Sequence, residues 1–595
     1  MKRFTINNNL GGHLMAVIRR KPIALDTTLR NPERIASFLS CIKTYEGQIL
    51  THDLVLNIEA DILRFKVAVG TKSTLGTYKT EAKKNKTWKP EDLSSEAEAR
   101  VDAYFEHYQQ SEVADFDKVR YLVGNTLTEH GEKGYMYGWA ARFSTQVQLI
   151  NEFGFGLVEP GKKIEISPVG NLLIKYYDKG KHVEENYDEN AEFSAFLMAF
   201  SKYQINNPWR ANTVKMNLLT FFLKAVKLLN EKHNGKGLSI YELPFLICWS
   251  NNNHEQFVEY IIKFRKEHGI QNVSDETRYK YCMQLLDDSY SEPVFKEASD
   301  EFIEKKKKDY KPEKLLKESP DELLRKLRLT QVVSLRGSGY FVDLNNLEAE
   351  KIEHIIWKYS DNKDFDTTTN LLDYMEYMGS IDPKLSFENE VFTEEQISKR
   401  EDLLQTTLSK WATEMEWEEL VKEMGVTVTK KTSENKILHQ IDKPTRMEFL
   451  ISIVMKKAMK EAVVKPNYKF DDEGVPFSHA GGNNADIVVN DKGLWANVEP
   501  TISNARSFQA EHEISSIEEH LFNDIEATGD KNRFALFIAP KVQAAAVSRI
   551  EFARMMQNID IYAWESDDFV KFSQNVNSLE DYKEIRKYAK MRVNN

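Results

Sequence analysis

The sequence predicts a multidomain α+β chain: two helical, winged-helix-like units, a helical linker, and a C-terminal α/β domain. Three observations carry that expectation. An amphipathic helical pattern followed by a Gly-containing turn between short apolar runs occurs at residues 139–177 and again at 321–345. Residues 346–430 are helical in pattern, acidic and poor in Gly. Beyond them the order is helix, two short β runs around a turn, helix, buried strand. The expected boundaries are 1–200 and 201–345 for the two winged-helix-like units, 346–430 for the linker and 431–595 for the C-terminal domain.

Composition bounds the class. A chain of 595 residues with 41% hydrophobic content can hold several independent cores. Cys41, Cys248 and Cys282 lie far apart in sequence, which suggests a reducing compartment and argues against a disulfide framework or a zinc site. No apolar run approaches membrane-spanning length, and the segment MKRFTINNNLGGH lacks a signal-peptide core, so no membrane partner is expected. The net charge of −11 does not advertise nucleic-acid binding, but such binding depends on a local basic face and not on the total.

In order along the chain, Asn31-Pro32 is a cap signal before a helix Glu33–Lys43. Arg30 and Arg34 there could face phosphates, or simply solvate the helix. Lys83, Lys84 and Lys86, interleaved with Tyr78 and Trp88, form either a phosphate-contacting loop or a plain exposed one. In residues 139–177, which include Arg142, a helix Thr145–Phe153 precedes Gly154-Phe155-Gly156, and Pro160-Gly161-Lys162-Lys163 marks a turn between two strands. Helix followed by a β-hairpin wing is a helix-turn-helix relative whose helix can enter a major groove. Helices are expected at Met216–Leu229, Ser239–Ile247 and His254–Lys266, the last capped by Asn251-Asn252-Asn253. The lysine run Lys305–Lys308 reads as a solvated helix face. In 321–345 the second wing would carry Arg336 in Arg336-Gly337-Ser338-Gly339.

The C-terminal block carries the chemistry. An apolar helix Glu448–Val463 opens it, with Glu448 in its first turn. Two β runs, Asp486–Val489 and Leu494–Glu499, flank a turn at Asn490–Gly493, so that Asp486 and Glu499 fall on neighbouring strands. Two converging carboxylates suit a hard cation, and Mg²⁺ so held is a usual device for hydrolysing phosphodiesters. A helix Phe508–Asp524 places Glu513 and His520 two turns apart on one face. The strand Phe534–Ala539 follows. Asp486…Glu499-Pro500-Thr501 resembles the PD-(D/E)xK nuclease signature, with Ala485 where the pattern prefers Pro and Thr501 where it prefers Lys. The competing reading is a half-exposed hairpin with solvated acids.

The wider pattern resembles the AlwI-type type IIS restriction endonucleases and their nicking relatives. It rests on Ser478-His479-Ala480-Gly481-Gly482-Asn483 before Asp486, on Glu499-x-Thr501, on the Glu513…His520 helix and on Leu536–Pro540. Asn31-Pro32-Glu33-Arg34-Ile35 with Tyr45-Glu46-Gly47, and Ser250–Asn253, are similar too. In that family Thr at the Lys position is usual. The resemblance implies N-terminal recognition of double-stranded DNA at a short asymmetric site, with cleavage a few base pairs outside it by a C-terminal Mg²⁺-dependent domain in a prokaryotic cytoplasm. It implies Glu448, Asp486, Glu499, Glu513 and His520 as catalytic candidates. Asp486, Glu499 and the Pro500 carbonyl would be metal ligands, and Arg30, Arg34, Lys83, Lys84, Lys86, Arg142 and Arg336 would contact DNA. Second-strand cleavage would need a transient homodimer or a small catalytic subunit. A strand-specific nicking enzyme, or the large subunit of a heterodimer, shares every motif; a non-catalytic winged-helix DNA-binding protein is the more distant alternative.

Overall fold

The computed structural model describes residues 20–23, 25, 32–75, 95–125, 140–183, 188–210, 214–233, 237–365, 371–388, 390–429, 431–478 and 484–586. It is a mixed α+β molecule in which apolar side chains gather in two bodies. The first body is a single core running from Ile23 to Phe387. The two expected N-terminal units therefore share one interior, because helices such as Asn190–Lys202 and Leu218–Lys232 are buried along most of their length and contribute to both.

The residues expected to form a linker divide between the bodies. Ile352, Ile355, Tyr374 and Met378 join the first core, whereas Leu404, Leu408, Leu420 and Met424 join the second. The amphipathic helices of 346–430 are thus core elements of their neighbours, with the boundary falling shortly before the helix Glu394–Glu414. That helix starts at a capping box formed by Thr393 and Gln396.

Within the first body, the helix Ala140–Glu152 precedes a β-pair of Gly156–Leu157 with Glu165–Ile166 and a helix Pro168–Leu173. The turn between those strands is strapped to the chain at Gly47–Leu50: Gly161 N donates to Leu50 O at 2.9 Å and Ile164 N to Gln48 O at 2.9 Å. It is part of the body wall and not a projecting wing. The second expected wing, Val333–Arg336 with Phe341–Leu344, gains a third strand, Leu238–Ser239, where a helix from Ser239 was expected; the helix there is Leu243–Ile247. The tip of this sheet meets Lys436 and Ile437 of the second body at Gly339.

The second body is built on a five-stranded sheet. Its elements are α1 (Lys443–Ala458), β1 (Val463–Pro466), β2 (Ile487–Asp491), β3 (Leu494–Pro500), α2 (Ile514–Thr528), β4 (Phe534–Ala539), α3 (Ala544–Gln557), β5 (Ile561–Glu565) and α4 (Ser566–Ser573). Pro444 in the first turn starts α1 five residues before Glu448, so Glu448 is in the second turn and not the first. The helix ends at Ala458, and the β-branched pair Val463-Val464 opens β1 instead of finishing the helix. In the sheet, β1, β2 and β3 are antiparallel neighbours, while β3, β4 and β5 run parallel. The β2–β3 hairpin turns in two residues, Lys492 at φ 53° and Gly493 at φ 92°, the doubly left-handed turn that matches strand twist.

β3 is the middle strand, and its parallel neighbour β4 is covered on both faces. Phe534, Leu536 and Ile538 face the core made by α1, α4 and the helices of 394–427. Ala535, Phe537 and Ala539 face the other core, under α2 and α3. A strand buried on both faces reads as a continuous apolar run. Among the described residues, no helix is long and apolar enough to cross a membrane.

Candidate active site

The pairing of β2 with β3 sets the site. Ile487 faces Val498 across the ladder, so the next pair outward brings Asp486 beside Glu499. Asp486 N lies 3.4 Å from Glu499 Oε2. Parallel pairing of β3 with β4 continues past the strand, where Thr501 N donates to Ile538 O at 2.8 Å. The carboxylates therefore sit at the end of β3, on backbone held from both sides.

The second wall is α2 and the turn before it. The helix runs continuously from Arg506, but residues Gln509–Glu513 adopt a π-turn before the α-helical stretch begins. Such a turn shifts the faces of a helix and recurs at functional sites. Here Gln509, fully buried, braces it: its Nε2 donates to Ser503 O at 2.8 Å and Lys541 O at 2.9 Å. Glu513 and His520 both reach β3 as their spacing predicts. Thr501 Oγ1 donates to Glu513 Oε1 at 2.7 Å, and His520 Nδ1 is 3.0 Å from Glu499 Oε1. His520 Nε2 lies 3.3 Å from Ser516 Oγ on the same helix.

The electrostatics follow from crowding acids under cover. Burial pushes the Glu499 carboxyl up to about 8; Glu513 and Asp524 add to the rise, and the hydrogen bonds from Asp486 oppose it. Burial also lowers the pKa of His520, against the pull of Glu519 and Asp524. Both groups are thereby held toward neutrality.

The structure thus brings Asp486, Glu499, Glu513 and His520 together, with Thr501 bridging. Glu448 is buried on α1, and its charge acts on Tyr468. Sequence reasoning missed Asp524, Asn497 and Arg533. Asn497 Nδ2 donates to Asp524 Oδ2 at 2.8 Å, and Arg533 Nε to Asn497 Oδ1 at 3.2 Å. The signal for Asp524 was available, since 513, 520 and 524 fall on one helical face. Among the described residues, no group of three or more His, Cys, Asp or Glu side chains stands ready to hold a metal ion.

Of the residues expected at DNA, Arg34 is exposed on the helix Pro32–Lys43. Arg30, Lys83, Lys84, Lys86 and the side chain of Arg142 lie outside the described residues. Arg336 departs from expectation. It is half-buried between the two bodies, donating to Asp343 Oδ2 at 2.9 Å, Asp472 Oδ2 at 2.7 Å and Leu344 O at 3.0 Å, and also to Glu473. Three carboxylates absorb its charge, so in this arrangement it joins protein to protein and is not presented to a phosphate.

The family model described as AlwI restriction endonuclease matches residues 149–399 and 383–562, more than half of the chain. The chain belongs to the AlwI restriction endonuclease family. The match takes in both bodies of this AlwI-family enzyme, including the hairpin with Asp486 and Glu499 and the helix with His520. No curated protein matches it. Similar solved structures include the small subunit of the heterodimeric restriction endonuclease R.BspD6I, 21% identical over 26% of this chain and 76% of that one, with a TM-score of 0.22. They also include restriction endonuclease FokI, 10% identical over 95% of this chain and 97% of that one, TM-score 0.22. FokI bound to DNA is 12% identical over 95% and 98%, TM-score 0.22.

Proposed function

We propose that this restriction endonuclease is of the type IIS kind. It binds a short asymmetric site on double-stranded DNA through its N-terminal body and hydrolyses phosphodiesters a few base pairs outside that site, using Mg²⁺. The observation that carries this reading is the meeting of Asp486 and Glu499 at the end of β3, within reach of His520, on a body whose core is separate from the first.

The residues present fit a divalent cation. Glu499 is 7% exposed, and its carboxyl is destabilised as an anion by burial and by Glu513 and Asp524, a cost that a cation would offset. Asp486, Glu499 and the Pro500 carbonyl would hold it, a set of hard oxygen donors suited to Mg²⁺. When bound, the cation supplies positive charge to the scissile phosphate.

The chain's own groups do the rest. His520, neutral near pH 7 through burial, can take or return a proton at Nδ1 or Nε2. Thr501 cannot supply the ammonium charge of the usual motif Lys. It instead holds the Glu513 carboxylate beside the site through its hydroxyl.

A second reading is favoured by one observation: among the described residues the site draws on a single β2–β3 hairpin, and one such centre cuts one strand. Strand-specific nicking, or service as the large subunit of a heterodimer, then competes with double-strand cleavage by a transient homodimer. Incubation with supercoiled plasmid separates them, because open circles without linear product mark nicking. Run-off sequencing of the products gives the site and offsets. Asp486→Ala should abolish cleavage and leave DNA binding intact; cleavage by that variant at the wild-type rate would remove the site assignment.

A further inference from the structure

Between β1 and β2 the chain leaves the sheet as a small hairpin in which Lys469–Phe470 pairs with Pro476–Ser478. Its two ends are bonded to different bodies. At the base, Asn467 N donates to Asp486 O at 2.8 Å, and Asn467 Nδ2 to Ala485 O at 2.5 Å. Two bonds from one residue hold the peptide that enters β2 and so fix where the Asp486 carboxylate starts from.

At the tip, Asp472 is saturated by the N-terminal body. Its carboxylate accepts from Arg336 Nη2 at 2.7 Å, from Asn346 N at 3.0 Å and Asn346 Nδ2 at 2.7 Å, and from Ser334 Oγ. Asp472 N donates to Asn345 Oδ1 at 3.1 Å. These partners come from the strand Val333–Arg336 and from the turn that follows the strand Phe341–Leu344.

The turn at the tip is braced. Asp471 Oδ1 accepts from Glu473 N at 3.0 Å and Val475 N at 2.9 Å, closing the turn from inside. Gly474, at φ +71°, lies so close to Thr407 that a Cβ there would come within 2.5 Å of its hydroxyl. Thr407 Oγ1 in turn donates to Glu473 O at 3.0 Å. Four residues lie between Asn467 and Asp472, a reach of at most about 17 Å.

We propose that this hairpin, residues 467–478, transmits the position of the N-terminal body to the cleavage centre. Asn467 is its positioning residue and the Arg336–Asp472 clasp its anchor. DNA engaged by the N-terminal body moves or steadies the strands that carry Arg336 and Ser334. The clasp carries that to the hairpin tip, and Asn467 delivers it to the backbone of Asp486. The inference rests on Asp486 belonging to the cleavage centre.

The test is a double-mutant cycle on the full chain: Asn467→Ala, Asp472→Asn and the pair. Single-turnover cleavage of plasmid DNA bearing the site found by run-off sequencing is followed with Mg²⁺, and DNA affinity and melting temperature are measured without it. Each single variant should cleave about 10–100-fold more slowly, since small misplacements of reacting groups cost that much. DNA affinity should stay within about twofold, and the pair should be little worse than the worse single variant, the non-additivity expected of one coupled unit. Wild-type rates in both singles would overturn the proposal. So would losses that multiply in the pair, or losses that follow DNA affinity. Asp472→Asn keeps size and part of the hydrogen bonding, so it remains informative if Asn467→Ala melts early. Asp486→Ala is the control: if it still cuts, the cleavage centre is misassigned, a failure separate from that of the hairpin.

Discussion

His520 Nδ1 and Glu499 Oε1 are 3.0 Å apart, with their side chains 12% and 9% exposed. Each belongs to a different element, one to α2 and one to β3, and the contact joins the layers on which the site is built. It also couples two groups whose charged forms burial disfavours.

The first prediction concerns Glu499 and pH. Its folded-state pKa is raised from 4.5 to about 8. A group raised in this way favours the folded state fully below its unfolded value, and that advantage is lost as pH climbs through the folded value. In a chelator, wild-type protein should therefore lose stability between about pH 5 and pH 8 to a greater extent than Glu499→Gln, which cannot ionise. Melting curves of the two should converge near about pH 4 and separate in favour of the variant near about pH 9. Equal separation at all pH values would mean that Glu499 ionises freely in the folded protein. The variant should have no cleavage activity at any pH.

His520 gives the second. If it moves a proton, His520→Gln, which can keep a hydrogen bond to Glu499 but cannot titrate, should cleave about 100-fold more slowly, within the range general acid–base groups contribute. DNA affinity should be unaffected, and the acid limb of the pH–rate profile should change shape. A Gln variant with wild-type rate would reduce His520 to a strut between α2 and β3.

Thr501 gives the third. Its hydroxyl donates to Glu513 and accepts from Ser503 N at 3.1 Å. Thr501→Val keeps the shape and removes both bonds, which should cost about 1–3 kcal/mol of stability for the polar groups left behind. Single-turnover cleavage should fall more than that stability loss can explain, because the hydrogen bond that ties Glu513 to the end of β3 is lost. Unchanged cleavage would place Glu513 outside the chemistry.

The hairpin and both helix-borne partners of the site were legible in the sequence because they rest on local signals. Asn490–Gly493 signals a turn, although β2 runs two residues further than expected and the turn is only Lys492-Gly493, and a spacing of seven puts Glu513 and His520 on one helical face. What escaped was set by tertiary context. Val463-Val464 follows a helix without a Pro or Gly between, so periodicity ran the helix through it, and β1 was missed. Arg336 beside three glycine-turn residues looks like an exposed wing until Asp472 and Glu473, more than a hundred residues away, arrive to neutralise it. The helices of 346–430 looked like a linker because amphipathic faces do not say which core they will meet.

The last prediction tests the support behind that clasp. Arg265 and Glu242 form a buried ion pair, each side chain 3% exposed, with Nη2 to Oε2 at 2.7 Å and Nε to Oε1 at 2.7 Å. Arg265 also donates to Gly237 O at 2.8 Å, and Glu242 Oε2 accepts from Ser239 N at 2.8 Å. The pair thus pins Leu238–Ser239, the strand that pairs with Phe341–Leu344 next to the one ending at Arg336. Arg265→Ala leaves a buried carboxylate uncompensated and should cost about 3–5 kcal/mol in urea unfolding. Replacing both partners by apolar residues, Arg265→Met with Glu242→Leu, should recover most of that loss, since the desolvation of both charges disappears with them. If the pair's main task is to hold the strand, the double variant will regain stability while Ser239 N and Gly237 O lose their side-chain partners. Hydrogen exchange at Val342 and Arg336 should then remain faster than in wild type. Recovery of both stability and exchange protection would show that the sheet under the clasp holds without this pair.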